Sequence, residues 1–459
     1  MRRVSRPGRS AAAVLLLAFL GGARRGDAAE SPGTGTGQAT PETPIDLPTV
    51  LHLAGAQNLD IQIARQRLEE TRARHRSAVQ EFFPWLSPGF AYRRHDGLTQ
   101  GTEGDIVDVH KHSYSPGAVV AAQANIGAAL FRSRETSKLT AAAEGGLETQ
   151  RADSLLAGVE DYFDLARAQA AVGVAQDALG TSREYEQQLE RAVEIGLALK
   201  GDALRVRTQA ERAELTLRQA LAAQRLVAAR LAERLHLDPK VALAAQDAEL
   251  LPLSIVDAGS SAEPLVQKAL AVRPEVHAAQ ARVAASQDAK DGAVLGPLIP
   301  WVGATAFLGG LGGGRADVPG EFGGSRDYAL AVGWRIGPGG LFDSGRIQGS
   351  RARLEEARLE AEKTRQRVVR EVVEAWTRVR SFADQIAVAR EGLTAAEDAL
   401  RLSQERKEFG IAAVLERILA EQDLTRARND YVTAVAEYDK AQYALLRAIG
   451  GIATSASTQ

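Results

Sequence analysis

The chain has 459 residues, a formal net charge of −2 and no cysteine. Without cysteine there are no disulfides, no thiol nucleophile, no cysteine-ligated metal and no lipid-modified cysteine anchor. Four arginines among the first nine residues precede an apolar run over residues 11–20, which predicts a secretory signal peptide over residues 1–29. Its loss would remove six Arg and one Asp, and the resulting net charge of about −7 disfavours nucleic acid as a partner.

The apolar run at the start is about half the ~20 residues that a bilayer-spanning helix needs. No other stretch approaches that length, so the sequence predicts no membrane-spanning helix. If the chain crosses a membrane, a closed β-barrel is the remaining way to satisfy its backbone there.

An internal repeat organises the rest of the chain. The pairs that recur at or near an offset of 214 residues are Val159-Glu160 with Val373-Glu374, Ile195-Gly196-Leu197 with Phe409-Gly410-Ile411, Asp202 with Glu416, and Pro84-Trp85 with Pro300-Trp301. They predict two repeats, over residues 46–255 and 256–450. A flexible segment over 30–45 would precede them, and a flexible tail over 451–459 would follow.

Each repeat is predicted to begin with a short helix and a β-hairpin, at about 86–124 and about 302–336. Apolar residues alternate there with small or polar ones, which indicates half-buried strands. The alternating residues are Phe90, Tyr92, Ala304, Ala306, Leu308, Tyr328, Leu330, Val332, Trp334 and Ile336. Strands of about ten residues can cross a membrane when tilted. Near strand ends, Trp85, Trp301 and Trp334 are candidate membrane-interface aromatics.

Two segments between the predicted strands, Arg93–His112 and Gly309–Asp327, are expected to be loops. The first holds a cluster of possible metal ligands, namely His95, Asp96, Glu103, Asp105, Asp108, His110 and His112. Their irregular spacing favours a solvated loop over a metal site. The second holds the glycines of residues 309–314, which no Lys-Ser or Lys-Thr follows, so a flexible loop is expected rather than a phosphate site. No catalytic motif occurs, and no cofactor or enzyme activity is predicted.

Long helical hairpins are predicted to follow each β-hairpin. Proline is absent between Pro116 and Pro239 and after Pro338, and both windows are rich in helix-forming residues. Gly196 and Gly410 mark the hairpin tips, so the arms over about 130–195 and 346–409 would be about 100 Å long. A heptad seam in the last arm is formed by Leu424, Tyr431, Tyr438 and Leu445 with Ala427, Ala434, Ala441 and Ala448.

Four strands cannot close a membrane barrel, since small barrels have about eight. Because open strand edges are not tolerated in lipid, the chain is expected to form a ring of several copies. Twelve strands from three copies would leave room for an aqueous path.

The order of these elements, their duplication, and the tip sequences at 195–197 and 415–422 resemble the TolC outer-membrane channel family over about residues 46–450. The resemblance implies an α+β membrane protein that forms a homotrimer, with a 12-stranded barrel in outer-membrane lipid and a coiled-coil tunnel in the periplasm. It implies a passive exit duct of a tripartite efflux pump or type I secretion system. Its partners would be a periplasmic adaptor (membrane fusion protein) and an inner-membrane transporter.

The resemblance also suggests functional residues at the tips. Asp202 and Glu416 match acidic residues that hold the periplasmic mouth shut, and the alternative for Asp202 is a helix-start residue favoured by the positive end of the helix dipole. Where the family has an arginine and a second acidic residue, this chain has Ala412 and Leu419, so a closing salt link would use Arg406 or Lys407. The expected adaptor-docking tips are Ile195, Gly196, Leu197, Phe409, Gly410 and Ile411.

A periplasmic coiled-coil adaptor, or another structural protein without a pore, is the alternative reading of an exported helical chain. An adaptor has one helical hairpin flanked by compact β-domains. This sequence predicts two helical hairpins with short interior β-segments, which favours the channel.

Overall fold

The computed structural model of the protein describes residues 43–452 except 57, 247–249, 258, 260, 316–319 and 409–413. The described part is mostly helical. Its helices are α1 (Leu47–Ala56), α2 (Leu59–Gln80), α3 (Ile126–Glu194), α4 (Lys200–Arg234), α5 (Glu263–Val272), α6 (Pro274–Val294), α7 (Ser344–Glu408) and α8 (Val414–Ala448). Its strands are β1 (Thr43–Ile45), β2 (Trp85–Gln100), β3 (Ile106–Ala124), β4 (Leu243–Ala245), β5 (Trp301–Arg315) and β6 (Glu321–Gly333).

The two longest helices set the length of the molecule. α3 has 69 residues and α7 has 65, so each is about 100 Å long at ~1.5 Å per residue. The Asn125 side chain caps the start of α3 by accepting a hydrogen bond from the Ala128 N–H at 3.2 Å. Among the described residues, no helix combines the length and the apolar character needed to cross a bilayer.

Strands and helices follow the same lateral order. The large sheet is antiparallel, in the order β2-β3-β5-β6, while β1 and β4 form a separate parallel pair. Beside the sheet, α2 packs on α3, α3 on α6 and α6 on α7. Further along, α4 pairs with α3 and α8 pairs with α7, and α8 also contacts α3. Each strand of the large sheet therefore continues into a helix that keeps its place in the row.

The strands of the large sheet are longer than the expected ten residues, with 16, 19, 15 and 13 residues. The prediction of a loop over Arg93–His112 is wrong, because β2 and β3 stay paired up to Gln100 and Ile106. Among the described residues, β5 pairs with β3 up to Lys111, so residues 96–110 form a two-stranded ribbon beyond the described part of the four-stranded sheet. Both faces of such a ribbon meet water, so its polar residues resemble a loop in sequence.

The glycine-rich segment is also a strand rather than the predicted loop. Residues 309–314 lie inside β5, where the rings of Phe322 and Tyr114 cover Gly310 and Gly312. A Cβ atom at either glycine would lie under 3.0 Å from the covering ring. Tyr114 and Phe322 stack on each other, with ring centroids 5.9 Å apart. These glycines therefore make room for aromatic rings from neighbouring strands.

Two apolar cores lie where the helices pair. The first gathers Val50, Leu155, Val159, Tyr162, Leu231 and Leu235 from α1, α3 and the end of α4. The second gathers Val266, Val276, Val368, Val372 and Leu445 from α5, α6, α7 and α8. The predicted heptad seam is partly buried, at Leu424, Ala434, Ala441, Leu445 and Ala448.

Candidate functional site

The register of the large sheet gives it one apolar face and one face of small residues. Because side chains alternate along a strand, residues paired across strands share a face. The apolar face carries Leu86, Phe90, Tyr92, Tyr114, Val120, Val302, Ala304, Ala306, Leu308, Tyr328, Leu330 and Val332. The opposite face carries Ser87, Gly89, Ala91, Ser113, Ser115, Gly117, Gly303, Thr305, Ala329 and Ala331. Most of the large apolar residues of β2 and β6 are exposed within one chain.

The apolar face has the height of a membrane. On β6 it extends from Val332 to Phe322, with Arg326 as the one charged side chain of that face in between, a rise of about 33 Å along the strand at ~3.3 Å per residue. A strand tilt near 40° reduces this to about 25 Å, the height of the apolar band of an outer-membrane barrel. Above Tyr92 the same face becomes polar, beginning with Arg94 and His112. Apart from Arg326, this face is therefore suited to lipid over about one bilayer thickness.

The histidine-rich segment lies on the polar continuation of this face. Asp96 accepts a hydrogen bond from Arg94 Nε at 2.7 Å, and its other oxygen lies 3.2 Å from His110 Nδ1. Across the part of the chain that the structure describes, no three His, Cys, Asp or Glu side chains come close enough together to hold a metal ion.

The tryptophans predicted at the membrane interface do not share one face. The Trp301 ring covers Gly303 and Gly333 on the small-residue face, at 3.1 and 3.2 Å from the positions of a Cβ atom there. Trp85 lies two residues before Ser87 on β2, so its side chain is on the small-residue face too. Trp334 donates its Nε1–H to the Leu298 carbonyl at 3.0 Å, which ties the end of β6 to the turn before β5. Their interface role stays a prediction.

The first helical tip is a Schellman turn. The Leu197 N–H donates to the Ala192 carbonyl at 2.7 Å and the Gly196 N–H donates to the Val193 carbonyl at 3.0 Å. Gly196 has a φ of +78°, the left-handed conformation that such a turn requires. Ile195, Leu197 and Leu199 are all exposed. The tip therefore presents three apolar side chains to solvent.

The predicted acidic residues near the tips each have a cation within the same chain. Asp202 lies in the first turn of α4, with Arg205 Nη1 at 3.2 Å from its carboxylate. Glu416 lies in the first turn of α8 and binds Arg406 Nη1 from the end of α7 at 2.7 Å. Phe409, Gly410, Ile411 and the side chain of Lys407 lie outside the described residues.

Sequence reasoning missed a contact that joins the two helical hairpins near their tips. Arg417 of α8 lies over the Tyr185 ring of α3, 3.9 Å from its centroid, and pairs with Glu421 at 3.0 Å. Ile418 adds an apolar contact with Tyr185, Leu189 and Val206. Burial raises the pKa of Tyr185, as does Glu421, while the charge of Arg417 opposes it. The only sequence signal was a bulky aromatic residue within an Ala- and Glu-rich helix.

A second contact that the sequence did not predict is a partly buried network of charges, well away from the tips. Arg447 of α8 binds Asp153 of α3 at 2.5 Å and Glu371 of α7 at 2.9 Å. Arg273, before α6, binds Glu371 at 2.6 Å and also pairs with Glu275. Burial alone would raise the pKa of Glu275, but the hydrogen bond and charge of Arg273 and the charge of Arg447 hold it below its usual value.

The comparisons with known proteins agree with this geometry. Residues 265–451 match the family described as outer membrane efflux proteins. Over 328 residues the chain is 25% identical to the outer membrane efflux protein BepC of Brucella suis, and the match covers 70% of each protein.

Solved structures share the fold. Against the outer-membrane channel OprN, the TM-score is 0.74 at 22% identity, over 88% of this chain and 90% of OprN. Against the CmeC outer membrane channel of Campylobacter jejuni, it is 0.76 at 16% identity, over 88% of this chain and 85% of CmeC. The chain is therefore similar to outer membrane efflux proteins over residues 265–451 and shares the fold of solved outer-membrane channels.

Proposed function

We propose that three copies of this channel subunit close into one passive exit duct, with a 12-stranded barrel in the outer membrane and a helical tunnel in the periplasm. The two repeats, residues 46–255 and 256–450, each contribute two strands and one long helical hairpin. Residues 1–29 direct export as a signal peptide. The observation that carries the proposal is the shared lateral order of strands and helices. Because of this order, the outermost strands of the sheet adjoin the outermost helices, so the sheet and the helical layer have their unpaired edges on the same two sides.

The open edges are β2 with α2 on one side and β6 with α7 on the other. Backbone groups at a strand edge need partners in lipid, and the apolar face spans a bilayer. Since β2 and β6 run in opposite directions, β6 of one copy can continue the antiparallel sheet with β2 of the next. The same rotation brings α7 beside α2, so one symmetric contact closes both layers.

Cysteine cross-linking tests this closure, because the chain has no cysteine of its own. Ser87→Cys on β2 is combined in turn with Ser325→Cys, Asp327→Cys or Ala329→Cys on β6, all on the small-residue face. At least one pair is expected to form disulfides between copies, because neighbouring strands lie about 4.8 Å apart and a disulfide spans about 5.5 Å between Cα atoms. Non-reducing gels of oxidised outer membranes should show a ladder that ends at a trimer.

The matched control combines Ser87→Cys with Thr305→Cys on β5. β3 lies between these positions, so they are about 10 Å apart and should not cross-link. Monomers with all three β6 partners, or a ladder that continues past the trimer, would contradict the proposed ring.

The helical tips are proposed to meet a periplasmic adaptor and, through it, an inner-membrane transporter. The exposed apolar residues Ile195, Leu197 and Leu199 support this role for the first tip. By the sequence repeat, Phe409, Gly410 and Ile411 would have the same role at the second tip. The name of BepC describes an outer membrane efflux protein, which favours efflux as the purpose of the duct.

We propose Asp202 and Glu416 as two acidic rings at the periplasmic mouth, since each would recur three times in the trimer. Rings of carboxylates favour cations. Asp202→Asn combined with Glu416→Gln is expected to lower the cation preference of the pore and to change its conductance, as measured by single-channel recording in planar bilayers. In the wild type, Arg406 also forms an ion pair with Glu416. Loss of this ion pair in the variant should increase fluctuations between conductance levels.

The control carries the same charge change elsewhere on the helices. Glu355→Gln with Glu362→Gln alters two exposed carboxylates of α7 more than 40 residues before its end. This variant should conduct like the wild type. Equal single-channel recordings from the tip variant and the wild type would show that Asp202 and Glu416 do not control conduction at the periplasmic mouth.

A further inference from the structure

The segment that connects the two repeats is fastened to α8 by two side chains. We name residues 250–257 the strap. The Leu253 N–H donates to Asp439 Oδ1 at 2.8 Å, and the Ile255 and Val256 N–H groups donate to Gln442 Oε1 at 3.3 and 2.9 Å. Gln442 is held in place by its own hydrogen bond to the Tyr438 hydroxyl at 2.9 Å.

The strap also joins the two apolar cores. Leu250 and Leu253 pack against the first core and Val256 against the second. Asp439 and Gln442 have exposures of 0% and 1%, so the strap covers them fully. The hydrogen bonds of the strap to Asp439 and Gln442 therefore lie in an apolar environment, where an uncompensated charge costs free energy.

Asp439 lacks a cation. It forms no ion pair with any Lys, Arg or His in the described residues of the strap, α3, α7 or α8, and its neighbour Lys440 binds Asp164 and Glu437 instead. Asp439 Oδ2 is buried without a hydrogen-bond partner. The titratable side chain that responds to Asp439 is Tyr443, whose pKa is raised by burial and by the Asp439 charge. Burial raises the pKa of Asp439 itself to about 7, against the smaller effect of the Leu253 N–H.

We propose that Asp439 is a proton-operated fastener for the strap. With the proton on Oδ2, the carboxyl is neutral and Oδ1 accepts the Leu253 N–H, so the strap is closed. When the proton leaves, a buried charge has only one hydrogen bond, and it gains hydration if the strap lifts from α8. The link between the two repeats is thus closed in mild acid and loosened in mild alkali. The inference concerns contacts within one chain and does not depend on the trimer.

Hydrogen–deuterium exchange of the full-length protein in detergent tests the fastener. Residue-resolved exchange at Leu253 is measured at pH 6 and pH 8 and corrected for the intrinsic pH dependence of amide exchange. In the wild type, protection at Leu253 is expected to fall about tenfold between these pH values, since opening releases the Asp439 proton at any pH up to its closed-state pKa of about 7, above which the effect levels off. In Asp439→Asn the side chain keeps its acceptor oxygen without the charge, and protection should be equal at both pH values.

Asp257→Asn serves as the matched control, because it neutralises an exposed carboxylate of the same strap that accepts a hydrogen bond from the nearby Gly259 N–H. It should show the wild-type pH dependence. Equal protection of wild-type Leu253 at pH 6 and pH 8, or an undiminished fall in Asp439→Asn, would overturn the proposal. The wild-type profile alone decides the first point if the Asn variant does not fold.

Discussion

Arg447→Met is expected to be the most destabilising single change in α8. Arg447 has an exposure of 13%, and its removal takes a cation from Asp153, Glu275 and Glu371. Glu275 and Glu371 keep Arg273, Glu371 also keeps Arg367, and Asp153 is half-exposed, so the buried Glu275 bears most of the loss. Breaking a buried ionic contact from one side leaves uncompensated charge and typically costs about 3–5 kcal/mol. Thermal unfolding of the purified protein at pH 7, followed by circular dichroism at 222 nm, should show a much lower Tm.

Arg426→Met is the matched control on the same helix. Arg426 pairs with Asp423 at 3.4 Å, but the two side chains have exposures of 71% and 63%. Such pairs contribute about 0–1 kcal/mol, so the control should melt close to the wild type. A similar small change in both variants would show that the network is not a source of stability.

The effect of Arg447→Met should also depend on pH. Because the folded protein lowers the pKa of Glu275, this group contributes stability above its unfolded pKa of 4.5. That contribution is lost as the pH falls through the lower pKa of the folded state. The difference in Tm between wild type and variant is therefore expected to be largest near neutral pH and to shrink below about pH 4.

Gly127→Ala is expected to disrupt the junction between the strands and the helices. Gly127 is in the first turn of α3, and a Cβ atom there would lie 2.8 and 2.9 Å from the backbone C and Cα of Gly296. Backbone atoms cannot rotate away as a side chain can. Overpacking of this kind costs about 1–3 kcal/mol or more, and both Tm and the yield of heat-resistant oligomer should fall.

Gly180→Ala makes the same substitution further along the same helix. No atom lies within 4 Å of a Cβ at Gly180, and alanine is preferred to glycine in a helix interior by about 1 kcal/mol. This variant should therefore be slightly more stable than the wild type. The two alanines are expected to shift Tm in opposite directions. Equal shifts in Tm would mean that the close approach of α3 to Gly296 does not affect the stability of the protein.

Regular patterns in the sequence predicted most of the fold. A proline-free window of helix-forming residues leaves few alternatives to a long helix, and α3 begins within four residues of the predicted start. Alternation placed Phe90, Leu308 and Leu330 together, and the register puts them on one face. Both patterns depend on local geometry, which the sequence encodes directly.

The sequence-based predictions were wrong or incomplete where contacts between residues distant in the sequence determine the structure. Gly310 and Gly312 looked like a loop because the rings that cover them come from β3 and β6. The Arg447 network unites four distant segments, and no spacing in the sequence links Arg273 with Asp153. Arg417 over Tyr185 likewise depends on how α8 is placed beside α3. At the tips, Arg406 does reach Glu416, and it does so within one chain, because the end of α7 lies beside the first turn of α8.

The ribbon of residues 96–110 gives the molecule an independent outer appendage. Within the part of the chain that the structure describes, its strands pair with each other alone, and the turn at its end is closed by the Gly101 N–H, which donates to the Asp105 carbonyl at 2.7 Å. A lone two-stranded ribbon contributes little to the stability of the sheet below it. Extra sequence inserted at the turn would thus leave the duct intact. In the proposed orientation this turn lies at the cell surface and is a suitable insertion site for an epitope tag or a fluorescent label.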